Sequence, residues 1–317
     1  MRPPCPLCGG ADTEFVTDRL RRGSGVIYRC GGCDHGFLLS DRVRDERAYY
    51  EGSGYRKDHS HQASGSETNP REVFDVYVRF QGDRLRVMAG DLSDSVRLLE
   101  VGASAGQFLH HARTRVASVD ATELNVACCD FMRAELDIQA EPTFLAESAH
   151  ADGCFDVVCA FQVMEHAPDP VQFLADLRAA TAPGGVVFVE VPNLHDPLLS
   201  VWDVEGYHDF YYHDAHLHYF SADSVRRTAV AAGFSPNDLE LHFIQDYNLL
   251  NQLHWVTIGA PQPTCEVGLS PLVLDGADDE LAAWLSTELN RLDGAYRDRL
   301  VASGRTSNLM LVARRGS

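Results

Sequence analysis

The chain has 317 residues, of which 45% are hydrophobic and 23% charged, the proportions of a globular protein with one large domain or two modest ones. This composition excludes a disordered, collagen-like or small disulfide-stapled chain. Lys and Arg number 27 against 46 Asp and Glu, a net charge of -19, so most of the surface repels a phosphate backbone and no nucleic-acid partner is expected.

The opening stretch MRPPCPLCGG holds no apolar leader run, and the chain nowhere approaches the roughly 18 uninterrupted apolar residues of a membrane span. A cytoplasmic protein with no membrane partner is the expectation. Nine cysteines in such a chain point to thiols and metal rather than to bridges. Four of them form two pairs, Cys5-Pro-Leu-Cys8 and Cys30-Gly-Gly-Cys33. Each C-x-x-C turn aims two thiolates at one point, and two such turns complete the tetrahedral four-sulfur shell that zinc prefers. All four ligands come from protein, so the site is closed, which marks a structural Zn2+ and a zinc ribbon over residues 1–45. So short a segment buries little core, and metal binding explains its folding. His35 is read as a bystander. Arg19, Arg21, Arg22 and Arg29 are read as a solvated face or as one that docks on the acidic remainder of the chain.

Residues 46–95 form a linker or lid and a leading helix. Tyr49, Tyr50, Tyr55 and His61 precede a Ser- and Gly-rich run ending at Pro70, and apolar residues from Arg71 to Met88 recur at helical spacing. From residue 96 to 317 strand and helix alternate. Strands are expected at 96–101, 116–119, 144–145, 156–161 and 186–191, with helices at 107–113, 124–136 and 171–180 between them. Continuous apolar runs separated by helices indicate an α/β fold with a doubly wound, Rossmann-like parallel sheet. Two more strands, at 239–243 and 309–313, flank a helical stretch around 281–292 and are placed antiparallel at the sheet edge.

The first of these strands ends in Glu100-Val101-Gly102-Ala103-Ser104-Ala105-Gly106. Small residues there let a ligand approach the backbone at the carboxyl end of the strand, although the glycine spacing is not the G-x-G-x-x-G of a dinucleotide fold. Asp120, read as the end of the second strand, is placed to accept the hydroxyls of a ribose.

This pattern resembles the class I S-adenosylmethionine-dependent methyltransferases, whose first motif reads E-x-G-x-G-x-G. Glu100, Gly102 and Gly106 match it, with Ser104 at the middle glycine. Asp120 falls where that family keeps its ribose-binding acid, and Phe155-Asp156-Val157-Val158 followed by Val163-Met164-Glu165-His166-Ala167-Pro168-Asp169-Pro170 looks like the family's next two segments. The resemblance implies a seven-stranded sheet, S-adenosylmethionine as cofactor, and an adenine region near Ala146 and Glu147 with Phe161 and Gln162 beside it. A four-cysteine ribbon ahead of this domain is similar to the subset that includes deoxysugar C-methyltransferases and other natural-product enzymes. That similarity implies a small-molecule acceptor, and Tyr212 to Ser221 resembles the subset's substrate-side loop.

For chemistry, His166 stands after the fourth strand with Glu165 beside it; its imidazole either takes the acceptor proton or only shapes the loop. His216 is the second candidate base. His213, His216 and His218 make H-x-x-H-x-H, read as a solvated loop rather than a metal site. Tyr212 and His213 are placed on the substrate side, and Tyr49, Tyr50 and Tyr55 either fold over the cofactor or pack ribbon against sheet. Cys128, Cys129, Cys154 and Cys159 are read as buried packing. Two other readings keep the same residues: sulfonium chemistry that transfers or cyclises the 3-amino-3-carboxypropyl arm, and a non-catalytic zinc-ribbon adaptor.

Overall fold

The apolar runs become strands buried on both faces because helices cover each side of them. A computed structural model describes residues 2–41, 45–52, 54–55, 69–274 and 279–316. It contains a seven-stranded sheet built from β4 (Arg97–Val101), β5 (Ser118–Thr122), β6 (Gln139–Glu141), β7 (Phe155–Phe161), β8 (Thr181–Pro192), β10 (Leu239–Ile244) and β11 (Asn308–Arg314), in the order β10-β11-β8-β7-β4-β5-β6. The five strands from β8 to β6 are parallel. β11 lies antiparallel between β8 and β10, so the last two strands do pair antiparallel, with β11 one place in from the edge. Successive residues of β7 serve opposite cores. Val157 and Cys159 join Phe108, Leu109, Met132 and Phe188 on one face; Val158 and Ala160 join Leu99, Leu174, Leu177 and Leu311 on the other.

Local signals set the helix starts. Asp169 accepts from the amides of Val171 and Gln172, and Pro170 holds the first helical position of Pro170–Ala180. Asn125 does the same for Val126–Glu135, and Ser221 with Ser224 forms a capping box for Ala222–Ala231. The leading helix breaks into Pro70–Tyr77 and Gly82–Met88, joined by a 3-10 turn, and the final helix runs from Asp279 to Ser303.

Two strand expectations need correction. The third strand is Gln139–Glu141, and residues 145–147 form a 3-10 turn instead. As an edge strand of three residues, two of them polar, β6 carries no apolar run to betray it. The second strand runs two to three residues later than its apolar pattern suggested, ending at Thr122.

The amino-terminal segment folds as β1 (Thr13–Thr17), β2 (Val26–Cys30) and β3 (Gly36–Leu39), all antiparallel. A fourth strand, β9 (His218–Tyr219), comes from far along the chain and pairs Gly36 with Tyr219 and Phe37 with His218. Gly36 permits this approach, since a Cβ there would stand 2.9 Å from Tyr219 Cβ. The ribbon sheet is thus completed by the segment that follows the parallel core. His35 is outside the four-cysteine cluster but joins the two segments: its Nε2 lies 3.0 Å from His218 Nδ1, both rings being buried, and burial holds both imidazoles well below their usual pKa, at about 3 and about 4. Of the two readings of the ribbon arginines, Arg19 follows the docking one, pairing with Glu205 and Asp209, whereas Arg29 pairs within the ribbon with Asp34 and also reaches His195. Cys128, Cys129 and Cys159 are buried, and Cys154 is half-buried. Among the described residues no helix is long and apolar enough to cross a membrane.

Candidate active site

A cleft of about 1600 Å³ opens at the carboxyl ends of β4, β7 and β8. Ordinary small-ligand pockets span about 300–1000 Å³, so this one has room for two molecules side by side.

One side is built from the loop Gly102–Gly106. Gly102 (φ +76°) has no space for a side chain, because a Cβ would lie 2.5 Å from Val163 Cγ2; at Gly106 (φ +79°) it would lie 2.9 Å from Met132 Cγ. Ser104 adopts φ +52°, the left-handed conformation that the glycine of the resembled motif would take without strain. Its amide donates to Glu123 Oε2 at 2.7 Å, and Glu123 Oε1 accepts from the Asn125 amide at 2.8 Å. Glu100, Ala146, Phe161 and Gln162 also line this side. Glu100 is almost fully buried, Oε2 has no hydrogen-bond partner among the described residues, and burial raises its carboxyl to about 8. A loop that tolerates no Cβ at Gly102 or Gly106, flanked by acids and placed at a strand's carboxyl end, suits a cationic, sugar-bearing ligand such as S-adenosylmethionine.

Asp120 does not line this cleft. It sits within β5, half-buried with His150 and Glu141 nearby, and burial raises its carboxyl. Because the strand ends at Thr122, the acid that reaches the cleft is Glu123. Glu147 lines the cleft, but its carboxylate is held by Arg47 (2.5 Å) and Thr143 Oγ1 (3.3 Å). Arg47 belongs to the helix Glu46–Glu51, and Asn125 Nδ2 donates to Gly52 O at 2.9 Å, so this short helix is tied to the side of the cleft built from the glycine loop.

A charged network that the sequence reading missed floors the cleft. Arg84 donates to both oxygens of Glu190 (3.2 and 2.5 Å) and lies 4.5 Å over the Phe161 ring. Gln162 Nε2 bridges Glu190 Oε1 (3.1 Å) and Asn308 Oδ1 (3.2 Å), and Asn308 Nδ2 donates to Asp246 Oδ2 at 2.5 Å. One sequence signal was available: Glu190 interrupts an otherwise apolar strand, where a lone carboxylate needs a cation.

The other side gathers His166, His213 and His216 with aromatic residues from several elements, including Tyr50, Tyr55, Tyr207, Phe210 and Tyr211. His166 Nδ1 lies 2.8 Å from Ala215 O; a carbonyl only accepts, so Nδ1 carries the proton. Glu165 is buried behind the rings, its Oε1 3.8 Å from His166 Nε2 and 3.9 Å from His216 Nε2, and burial raises its carboxyl to about 8. The rings of Tyr50 and Tyr55 pack edge-on against His166, at 5.8 and 5.3 Å. Arg21 reaches this wall from the ribbon and lies 4.6 Å over Phe210.

Three expectations change here. Tyr212 does not face the cleft: it is buried among Tyr211, Tyr219 and Ile27, with its hydroxyl pushed up to about 12, and its neighbour Tyr211 forms the wall instead. Tyr49 packs on Tyr50 and Tyr55 from outside the cleft. The H-x-x-H-x-H segment is not a solvated loop, since His213 and His218 are buried, and its third histidine points to the ribbon. Of the expected linker or lid, residues 53 and 56–68, His61 included, lie outside the described residues.

In the ribbon, Cys5 Sγ lies 3.6 Å from Cys33 Sγ and Cys8 Sγ 3.6 Å from Cys30 Sγ, and all four sulfurs fall within 4.8 Å of one another. Bonds of about 2.3 Å to a tetrahedral zinc place sulfurs roughly 3.8 Å apart, so the four thiols fit a zinc ribbon.

A family profile described as a methyltransferase domain matches residues 32–238, more than half of the chain. The chain belongs to that family. Curated relatives of this methyltransferase-domain chain include the ubiquinone biosynthesis O-methyltransferases of Caulobacter sp. (strain K31), 36% identical over 108 residues, and of Parvibaculum lavamentivorans, 30% identical over 105 residues. Each match covers 32% of this chain and 42% of the relative, so the chain spans under half the length of the curated relatives it matches. Among solved structures, a SAM-dependent methyltransferase from Archaeoglobus fulgidus is 15% identical, with a TM-score of 0.49, covering 77% of this chain and 97% of its own.

Proposed function

We infer that this chain transfers a methyl group from S-adenosylmethionine to a small-molecule acceptor held against His166 and His216. The observation that carries the reading is the Gly102–Gly106 cradle facing the histidine cluster across one cleft large enough for both ligands. When bound, the cofactor supplies a methyl group already activated on a sulfonium. The chain's task is then alignment and proton removal. Gly102 lets the cofactor reach the backbone, Gly106 lets the loop pack on Met132, Glu123 takes the ribose role expected of Asp120, and Glu100, protonated near neutral pH without ligand, would release that proton to face a cationic ligand. With Nδ1 of His166 donating to Ala215, Nε2 is the unprotonated nitrogen that would receive an acceptor proton, and His216 is the second candidate for that step. Tyr50 and Tyr55, packed against His166, form the cover over the two ligands. In the ribbon, Cys5, Cys8, Cys30 and Cys33 hold a structural zinc.

The ribbon ahead of the methyltransferase domain and the aromatic wall support a natural-product acceptor. The name of the Caulobacter relative puts hydroxyl compounds among those to screen. Calorimetry with S-adenosylhomocysteine tests the cofactor half. Binding is expected, with Glu123→Ala weakening it at least about tenfold, as loss of a charged hydrogen bond implies, and Asp120→Ala leaving it within about twofold. No binding to the unaltered chain, or equal loss in both variants, overturns the assignment. The product made during turnover tests the reaction: S-adenosylhomocysteine supports methyl transfer, and methylthioadenosine would require the carboxypropyl reading.

A further inference from the structure

One carboxyl and two imidazoles converge at one point of the acceptor wall. The Glu165 side chain is 1% exposed, and neither of its carboxylate oxygens has a hydrogen-bond partner among the described residues. A buried carboxyl in that state is costly to ionise unless a cation reaches it. His166 Nε2 and His216 Nε2 lie 3.8 and 3.9 Å from one and the same oxygen, too far for hydrogen bonds. One ligand atom from each residue lies within 4.8 Å of the others. Two ligands bound about 2.1 Å from one ion at tetrahedral or octahedral angles stand roughly 3.0–3.4 Å apart, so the carboxylate-to-imidazole distances need to close by about half an ångström or slightly more, and the two imidazoles by at most roughly 1–2 Å.

The surroundings orient these groups. The hydrogen bond from His166 Nδ1 to Ala215 O leaves Nε2 as the lone-pair nitrogen, the outer partner that metal-binding imidazoles use. The Leu217 amide donates to Glu165 O, fixing the Glu165 backbone against the strand that carries His218. Both histidines border the cleft while Glu165 lies behind them, so an ion there would have protein on one side and the acceptor space on the other. Such a set of imidazoles and one carboxylate, with positions left open, is suited to first-row transition ions.

We propose that Glu165, His166 and His216 form a second metal site, open toward the acceptor, for a first-row divalent transition ion. It is separate in position and chemistry from the closed four-sulfur ribbon. The proposal rests on the reading of this cleft side as the acceptor side, and it assigns the two imidazoles as ligands whenever the ion is bound; the ion then polarises the acceptor in place of a free histidine base.

The test is Co2+ loading of the full chain, with bound metal counted by mass spectrometry and the visible spectrum recorded. Two ions per chain are expected, one showing thiolate-to-metal charge transfer from the ribbon and one showing only weak ligand-field bands. Glu165→Gln and His216→Gln should each remove the second ion alone, weakening it beyond the about 10- to 100-fold that loss of an outer partner costs. His208→Ala, at an exposed histidine paired with Asp203, should keep both. Far-ultraviolet circular dichroism identifies a variant that fails to fold, and the other variant then decides. One ion per chain at saturation, or a second ion kept by both variants, overturns the proposal. S-adenosylhomocysteine binding is measured on the same samples: its presence with a single ion sinks only the metal site, and its absence sinks the methyltransferase reading itself.

Discussion

The two sides of the cleft are made in different ways. The cofactor side comes largely from one stretch, β4 through β7, in which each loop follows its strand directly. The acceptor side is assembled from pieces separated by long stretches of chain: Arg21 from the ribbon, Tyr50 and Tyr55 from the segment after it, Glu165 and His166 after β7, Tyr207 to His216 beyond β8. A contiguous site inherits its geometry from a sheet that must form for the protein to fold at all. An assembled site depends on whatever clamps the pieces together. Here the clamp is the ribbon, because the Leu38 amide donates to Leu217 O while the Leu217 amide donates to Glu165 O.

The harshest way to break this comparison is to remove the thiols proposed to hold a zinc in the ribbon. Structural zinc contributes about 10–16 kcal/mol to small zinc-dependent folds, so Cys5→Ser with Cys30→Ser should unfold the ribbon outright. Hydrogen–deuterium exchange is then expected to rise in residues 212–220, while residues 98–108 stay protected and S-adenosylhomocysteine still binds. Equal loss of protection on both sides would show that they are one unit.

The same contrast explains what could be read from the sequence. The loop from Glu100 to Gly106 was legible because its spacing is local, and Glu100 and Gly102 do line the cleft; the parallel core was legible because its strands are continuous apolar runs. Asp120 was misread for Glu123 because an apolar pattern does not mark where a strand stops, and three residues decide which acid reaches the cleft. Tyr212 was misread for Tyr211 because on a helix end only packing decides which ring turns inward. Arg84, Glu190 and Asp246 are far apart in the chain, and their network exists only once β8 and β11 are neighbours. Glu165, His166 and His216 were each named, but their convergence is a fact of the loop behind β9.

The Arg84–Glu190 pair sits under both sides and gives the next test. Breaking a buried ion pair by removing one partner costs about 3–5 kcal/mol, whereas replacing both with apolar residues costs far less. Arg84→Met should therefore lower unfolding free energy by about that amount, and Arg84→Met with Glu190→Met should recover most of it. A double variant as unstable as the single one would mean that Gln162 and Asn308, not the ion pair, hold the floor together.

A milder probe compares the buried carboxyls of the two sides, Glu100 and Asp196. Burial raises Glu100 from an ordinary 4.5 to about 8 and Asp196 from 3.8 to about 7. Each keeps its proton in the folded chain at pH values where the unfolded chain has released it, so the folded state binds more protons and stability falls as pH rises. The loss begins near pH 4 and is complete near pH 7 for Asp196 and pH 8 for Glu100. Glu100→Gln should flatten the fall by on the order of 2 kcal/mol, read as the change in thermal midpoint between pH 5 and pH 8.5 without cofactor. A midpoint that climbs over that range would show that Glu100 is ionised when folded.

The smallest expected effect concerns Ser104, where the cofactor side departs from its own motif. A residue with a Cβ at φ +52° carries about 1 kcal/mol of strain, which glycine would relieve while adding freedom to the unfolded chain. These contributions oppose each other, so Ser104→Gly should change stability by less than about 1 kcal/mol. Because the loop meets the cleft through its backbone, with the Ser104 amide bound to Glu123, S-adenosylhomocysteine affinity should stay within about threefold. A tenfold loss on calorimetry would instead make the Ser104 hydroxyl a ligand contact, and the serine would then be a specific adaptation of this loop.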